Sequence, residues 1–176
     1  RTAIGTWEKF TLNLEPVVGS EYLDFGLHWV SKTSNGVETQ TKAVEQDGTV
    51  ISLSSSDYYD DSKPTVIYFH GWQSDSAELN YRRENFTFSD NGDSNSMASW
   101  KNRGWNVGVF YWNQFADEGE VKDAEAKMWS TNGSKGMRYR LNDGSYSTVQ
   151  SPNKSLGELA AEQISAALAN NTSGNI

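Results

Sequence analysis

Two short, continuously apolar runs constrain the fold more than any other feature of the 176-residue sequence. Residues 65–69 read TVIYF, and residues 106–112 read NVGVFYW. Runs without the alternation of a half-exposed strand are typical of central strands that are buried on both faces. The two runs begin roughly 40 residues apart, a spacing that fits the crossover between parallel strands. The sequence therefore predicts an α/β fold in which these two strands are parallel and adjacent or nearly so.

The residues before the first run predict an antiparallel region. Apolar and polar residues alternate over residues 10–14, and apolar residues recur over residues 22–30. Ser34-Asn35-Gly36 is a hairpin turn signal, and Asp47-Gly48 predicts a further turn before a short strand at residues 49–53. We therefore expect antiparallel strands ahead of the parallel pair.

Two helices are predicted after the second run. Residues 116–130 form an acidic helix with an apolar stripe made of Val121, Ala124, Met128 and Trp129. Ser155 is a good N-cap with Glu158 at the third helical position, so a capping box begins a helix at residues 155–169. The Gly-, Asn- and Ser-rich residues 131–153 between them predict an excursion away from the main sheet.

Composition excludes several kinds of partner and site. The net charge of −8 and the pI near 4.7 repel phosphate backbones, so nucleic acid is not expected as a partner. Without cysteine and with only His28 and His70, thiolate and multi-histidine metal sites are excluded, and no cofactor is expected. The sequence has no apolar run of transmembrane length. Because it starts at Arg1 and is polar and poor in lysine, we expect a processed protein that is secreted or at the cell surface.

The tripeptide His70-Gly71-Trp72 directly follows the first run. The order of elements is a buried strand ending in His-Gly-aromatic, a second buried strand ending in an aromatic residue, and then an Ala-rich helix. This order resembles that of the lipase-type α/β-hydrolases of the pancreatic and lipoprotein lipase group. The resemblance covers residues 64–112 and 155–176. It implies that Trp72 gives its backbone N–H to an oxyanion hole and that His70 holds the loop by hydrogen bonds. Gly71 is expected to allow a turn that a Cβ would forbid. Tyr111 departs from the Asp-Trp that usually ends the family's second strand.

The nucleophile and its partners are missing from this pattern. A Gly-x-Ser-x-Gly elbow does not occur, and no histidine follows His70, although the family's triad runs Ser, Asp or Glu, then His. Ser155-Leu156-Gly157 is similar to an elbow, but Asn153 stands where a small residue is required, and no buried strand precedes it. The resemblance therefore implies that the catalytic Ser, Asp and His lie beyond Ile176. It also implies that residues 1–176 alone are inactive.

These observations predict a partial α/β-hydrolase sheet within one domain that is truncated at its C-terminus. Residues 1–63 are its antiparallel strand region and residues 64–176 the first half of its core. The expected function is acyl-ester hydrolysis by a secreted serine esterase or lipase, with a lipid or other ester as substrate and the remainder of the hydrolase domain as partner. We expect the edge of the strand at residues 107–111 to be open, and the chain to pair there with the missing segment or with a second copy.

A non-catalytic carbohydrate-binding or surface-interaction module is the alternative function. Seven Trp and eight Tyr in an acidic domain would suit stacking on sugar rings. Sheet topology separates the two hypotheses, because parallel central strands favour the hydrolase and an all-antiparallel sandwich favours the module.

Overall fold

A computed structural model describes residues 22–32, 38–53, 57–79, 86–88 and 94–174; the strand predicted at residues 10–14 lies outside them. The described strands are β1 (Gly26–Lys32), β2 (Glu38–Lys42), β3 (Thr65–Phe69), β4 (Thr87–Phe88), β5 (Ser94–Asn95), β6 (Asn106–Tyr111), β7 (Tyr139–Arg140) and β8 (Tyr146–Ser147). The described helices are α1 (Ser96–Asn102), α2 (Asn113–Ala116), α3 (Val121–Trp129) and α4 (Leu156–Ala167).

A four-stranded mixed sheet in the order β2-β1-β6-β3 forms the centre of the fold. Strands β3 and β6 are parallel neighbours, with Thr65 opposite Asn106 and Phe69 opposite Phe110, and α1 lies in the connection between them. Strand β1 is antiparallel to both β2 and β6. The predicted parallel pair, the antiparallel strands before it and the α/β class are therefore confirmed.

Position within the sheet decides how deeply each predicted central strand is buried. Every residue of β6 is buried, because β1 and β3 flank it on both sides. Strand β3, in contrast, pairs with β6 alone among the described strands, and Tyr68 and Phe69 are 45% and 39% exposed. The prediction of burial on both faces is thus confirmed for β6 and wrong for β3. The expected open edge at residues 107–111 is also wrong, since β1 occupies it.

Apolar clusters cover both faces of the sheet. Alternate β6 residues face opposite sides: Phe110 belongs to the cluster beneath α3 and α4, whereas Val107 and Val109 belong to the cluster that contains Met97 of α1. This is the layered arrangement expected of an α/β fold, in which helices cover a central sheet. None of the helices in the described ranges is long and apolar enough to cross a membrane.

Local signals place the start of α4 and the turn before residue 49 correctly. Ser155 Oγ accepts a hydrogen bond from Glu158 N, and Glu158 Oε2 accepts one from Ser155 N at 2.8 Å, so the capping box is confirmed. Gly48 has φ +90° in the predicted turn. The short strand expected at residues 49–53 is wrong, because only a single bridge, between Val44 and Val50, forms there.

The helix predicted at residues 116–130 forms as α3 over Val121–Trp129, and half of its apolar stripe is confirmed, since Ala124 is in the core and Met128 packs against it, whereas Val121 and Trp129 are exposed. Val121 and Trp129 are 53% and 75% exposed, whereas Asp123, Ala124 and Lys127 are buried. The helix face that carries Lys127 is turned inward. There Lys127 Nζ pairs with the Glu118 carboxylate and with the carbonyls of Phe115 and Arg138. The predicted excursion at residues 131–153 is confirmed, since β7 and β8 form a separate two-stranded sheet.

Candidate functional site

His70 joins the carboxyl ends of the two parallel strands. Its imidazole stacks on the Trp112 ring with centroids 5.2 Å apart. Trp112 N donates to His70 Nε2 at 3.0 Å, and Trp112 Nε1 donates to the His70 carbonyl at 2.8 Å. His70, which directly follows β3, is therefore fixed by three contacts to Trp112, which directly follows β6.

The partners of the His70 ring determine its tautomer. Nε2 accepts from a backbone N–H and so carries no proton, while Nδ1 lies 2.9 Å from the Gly71 carbonyl and must donate to it. Burial lowers the pKa of His70 to about 4. Both ring nitrogens are occupied in the neutral form, so His70 holds the loop and has no lone pair with which to act as a base.

The neutral, buried state of His70 makes stability depend on pH. Between about pH 6.5 and about 4, the unfolded histidine is protonated while the folded one is not, so stability falls as pH falls through this window. We expect His70 to account for a loss of up to about 3 kcal/mol in the free energy of unfolding across it. Urea unfolding at a series of pH values, for wild type and His70→Gln, measures this. The variant should have a shallower pH dependence between pH 6.5 and 4, and equal slopes would contradict the assignment.

Gly71 does not have the role that the sequence suggested. It has no positive φ, and a Cβ placed on it would meet no atom within 4 Å. The expectation that a Cβ would forbid this turn is therefore wrong. The space beside Gly71 is open, so a ligand can approach the loop from that side.

Trp72 is held through its side chain while its backbone N–H is left available. The indole Nε1 donates to the Glu118 carbonyl at 2.6 Å, and the side chain is 41% exposed. Within the described part of the chain, Trp72 N donates to no acceptor. The residue therefore presents a backbone donor at the carboxyl edge of the sheet, on a loop that the indole anchors.

The C-terminal end of α2, at Ala116 and its C-cap Asp117, fixes the rest of this loop. Gln73 N donates to the Ala116 carbonyl at 3.3 Å. The two carboxylate oxygens of Asp117 accept from Asp75 N at 2.7 Å and from Ala77 N at 2.9 Å. Burial raises the pKa of Asp117, opposed by these two bonds. Sequence reasoning missed Asp117, which in the pattern was only one acidic residue near a helix start.

Beneath this segment lies a buried charge cluster made of Glu118, Lys127 and Arg138. Lys127 Nζ donates to Glu118 Oε1 at 2.7 Å and to the carbonyls of Phe115 and Arg138 at 2.9 and 2.7 Å. Arg138 binds both Glu118 oxygens. Burial raises the pKa of Glu118, but the bonds from Arg138 and Lys127 outweigh it, so the pKa is lowered and the carboxylate stays charged. The cluster fixes the backbone that in turn holds the loop.

Ser155 has no nucleophilic geometry. Its side chain is buried in the cap, where Oγ accepts from Glu158 N and also lies 2.8 Å from Glu158 Oε2. An oxygen engaged in this way at a helix start cannot be activated by a histidine. Among the described residues, no group of three His, Asp or Glu side chains is placed to hold a metal ion.

Comparison with known proteins found no matching family model, no similar curated protein and no similar solved structure.

Proposed function

We propose that these residues supply the oxyanion-binding half of a lipase-like serine esterase that is secreted or at the cell surface. In this proposal the Trp72 backbone N–H stabilises the negative oxygen that develops when an acyl ester is attacked. The catalytic Ser, Asp and His come from a segment of the hydrolase domain outside these residues, since Ser155 is a helix cap and both nitrogens of His70 are occupied. The substrate is a lipid or another acyl ester.

The observation that carries the proposal is the position of an available backbone N–H on a fixed loop at the carboxyl end of β3. Ligands of open α/β sheets bind at the carboxyl ends of the parallel strands, which is where His70 and Trp112 meet. A donor stabilises an oxyanion well only if it need not reorganise, and both the Trp72 indole and Asp117 restrain the loop. Tyr68 and Phe69 of β3 add exposed aromatic surface beside it, which suits an apolar acyl chain.

The sheet topology argues against the alternative function, an aromatic-rich binding module. It predicts an all-antiparallel sandwich, whereas β3 and β6 are parallel. The exposed ring of Trp129, which was expected in the core, is an observation in its favour.

The test uses the product of the complete open reading frame that contains these residues, assayed on short- and long-chain acyl esters. Trp72→Pro removes the backbone N–H and the indole, whereas the matched control Trp72→Phe removes only the indole. We expect kcat to fall about 100-fold in Trp72→Pro relative to Trp72→Phe, with KM little changed, as for loss of an oxyanion donor.

Two results would refute the proposal. One is equal kcat in the proline and phenylalanine variants when both remain folded by circular dichroism. The other is stoichiometric labelling of Ser155 by a fluorophosphonate in the 176-residue chain, which we expect to remain unlabelled and inactive.

A further inference from the structure

A cavity lies at the same edge of the sheet as the His70 loop but shares no residue with it. It has a volume of about 340 Å³ and is enclosed by Phe25, the turn at residues 46–48, residues 150–154 and one face of α4. Phe25 precedes Gly26, which pairs with Tyr111 at the end of β6, so the cavity also opens at the carboxyl ends of the parallel strands. Its size is at the lower end of small-molecule sites.

Gln163 of α4 places an available donor in this cavity. The side chain is 95% buried, and its Oε1 accepts from Leu27 N at 2.8 Å, which fixes the orientation of the amide. Its Nε2 has no acceptor among the described residues. One end of this amide is bound to a strand and the other borders the cavity, so Nε2 is a fixed donor that a ligand entering the cavity can use.

The remaining polar groups around the cavity are mostly amides and a neutralised ion pair. Gln46 donates its Nε2 to the Leu23 carbonyl, which leaves its Oε1 as an acceptor, and Asn153 lies at the mouth. Lys154 Nζ binds Glu162 Oε1 at 2.5 Å. Gln150, which also lines the cavity, adopts φ +60°, a conformation that non-glycine residues rarely take.

These groups select a ligand by its charge and polarity. Asp47, Glu162 and the net charge of −8 oppose an anion, and the only cation at the cavity, among the described residues, is already paired. An apolar ligand would desolvate the amides without replacing their hydrogen bonds. A hydroxyl both donates and accepts, as an amide does, so a neutral polyhydroxylated ring matches the lining. We propose that this cavity binds one neutral sugar ring, with Gln163 Nε2 donating to a ring or hydroxyl oxygen.

The first test titrates glucose, galactose, mannose and N-acetylglucosamine separately into the ¹⁵N-labelled chain. At least one sugar should cause saturable shifts of the Gln163 side-chain amide and of residues 150–154. Glucuronate, which carries a negative charge, should bind several-fold more weakly than the best neutral sugar, because Asp47, Glu162 and the net charge of −8 oppose it. The proposal is overturned by an absence of shifts up to about 100 mM for every sugar, by shifts that map elsewhere, or by binding of glucuronate as tight as that of the best neutral sugar.

Two variants then test the cavity itself. Gln163→Glu keeps the acceptor for Leu27 N but removes the donor, and should weaken binding about tenfold. Asn153→Trp fills the mouth from an exposed position and should abolish binding, whereas Asn132→Trp, an equal change at an exposed residue outside the cavity, should not. If Gln163→Glu fails to fold, the comparison of Asn153→Trp with Asn132→Trp still tests whether the cavity binds the sugar. Equal affinity in Asn153→Trp and Asn132→Trp would overturn the proposal without affecting the esterase proposal, which concerns Trp72.

Discussion

Replacing Lys127 by methionine is expected to lower the free energy of unfolding by about 3–5 kcal/mol, the cost of breaking a buried ion pair. Lys127 is fully buried and contacts Glu118 and the carbonyls of Phe115 and Arg138. Methionine fills a similar volume but donates no hydrogen bond, so two carbonyls lose their donor and Glu118 keeps only Arg138. Urea unfolding followed by circular dichroism measures the change.

Lys122→Met is the matched control, because it removes the same group from the same helix. Lys122 is exposed and pairs with exposed Glu120 at 2.7 Å, so we expect no measurable change in the free energy of unfolding. The double variant Lys127→Met/Glu118→Leu should be less destabilised than the sum of its single changes, because no unpaired carboxylate remains. A Lys127→Met cost as small as that of Lys122→Met would show that the buried cluster contributes nothing to stability.

Replacing Gly26 by alanine should destabilise the fold by about 3 kcal/mol or more, from backbone strain and a steric clash together. Gly26 has φ +126°, and a Cβ there would lie 2.7 Å from Gln163 Oε1. That oxygen cannot withdraw without releasing its hydrogen bond to Leu27 N. Thermal unfolding monitored by circular dichroism should show a correspondingly lower Tm.

Gly104→Ala separates the two causes. Gly104 also has positive φ, at +80°, but a Cβ there would meet no atom within 4 Å. We expect a cost of about 1 kcal/mol, that of the left-handed backbone alone. Equal destabilisation by the two alanines would mean that Gln163 does not restrict the space beside Gly26.

The parts of the fold that sequence predicts well are those encoded by neighbouring residues. The capping box at Ser155 and Glu158 is one, and the apolar run of β6 is another, since both are complete within a few residues. The predicted burial of Trp129 on α3 failed because burial of Lys127 in its place depends on Glu118 and Arg138, which come from outside the helix. Without those partners, Trp129 is the better candidate for the core on hydrophobicity alone.

The candidate site was predictable to the same extent. The position of His70-Gly71-Trp72 at the end of β3 follows from the motif and the apolar run before it. The support of that loop by Asp117 does not, because 42 residues separate Asp117 from Asp75 and no periodicity encodes which loop a carboxylate will face. The tautomer of His70 likewise depends on Trp112 N, 42 residues away.

The pairing of β1 with β6 has a consequence for how the chain is made. About 80 residues separate these strands, and β1 can complete its hydrogen bonds only after β6 has left the ribosome. At roughly 5 to 20 residues per second, the β1–β2 hairpin waits about 4 to 16 seconds during synthesis. Throughout that time Leu27 and Trp29, both buried in the finished sheet, lack the cover that β6 and α4 later provide. The β1 edge and its apolar side chains are thus exposed during synthesis, and slowing translation between residues 42 and 106 should increase aggregation.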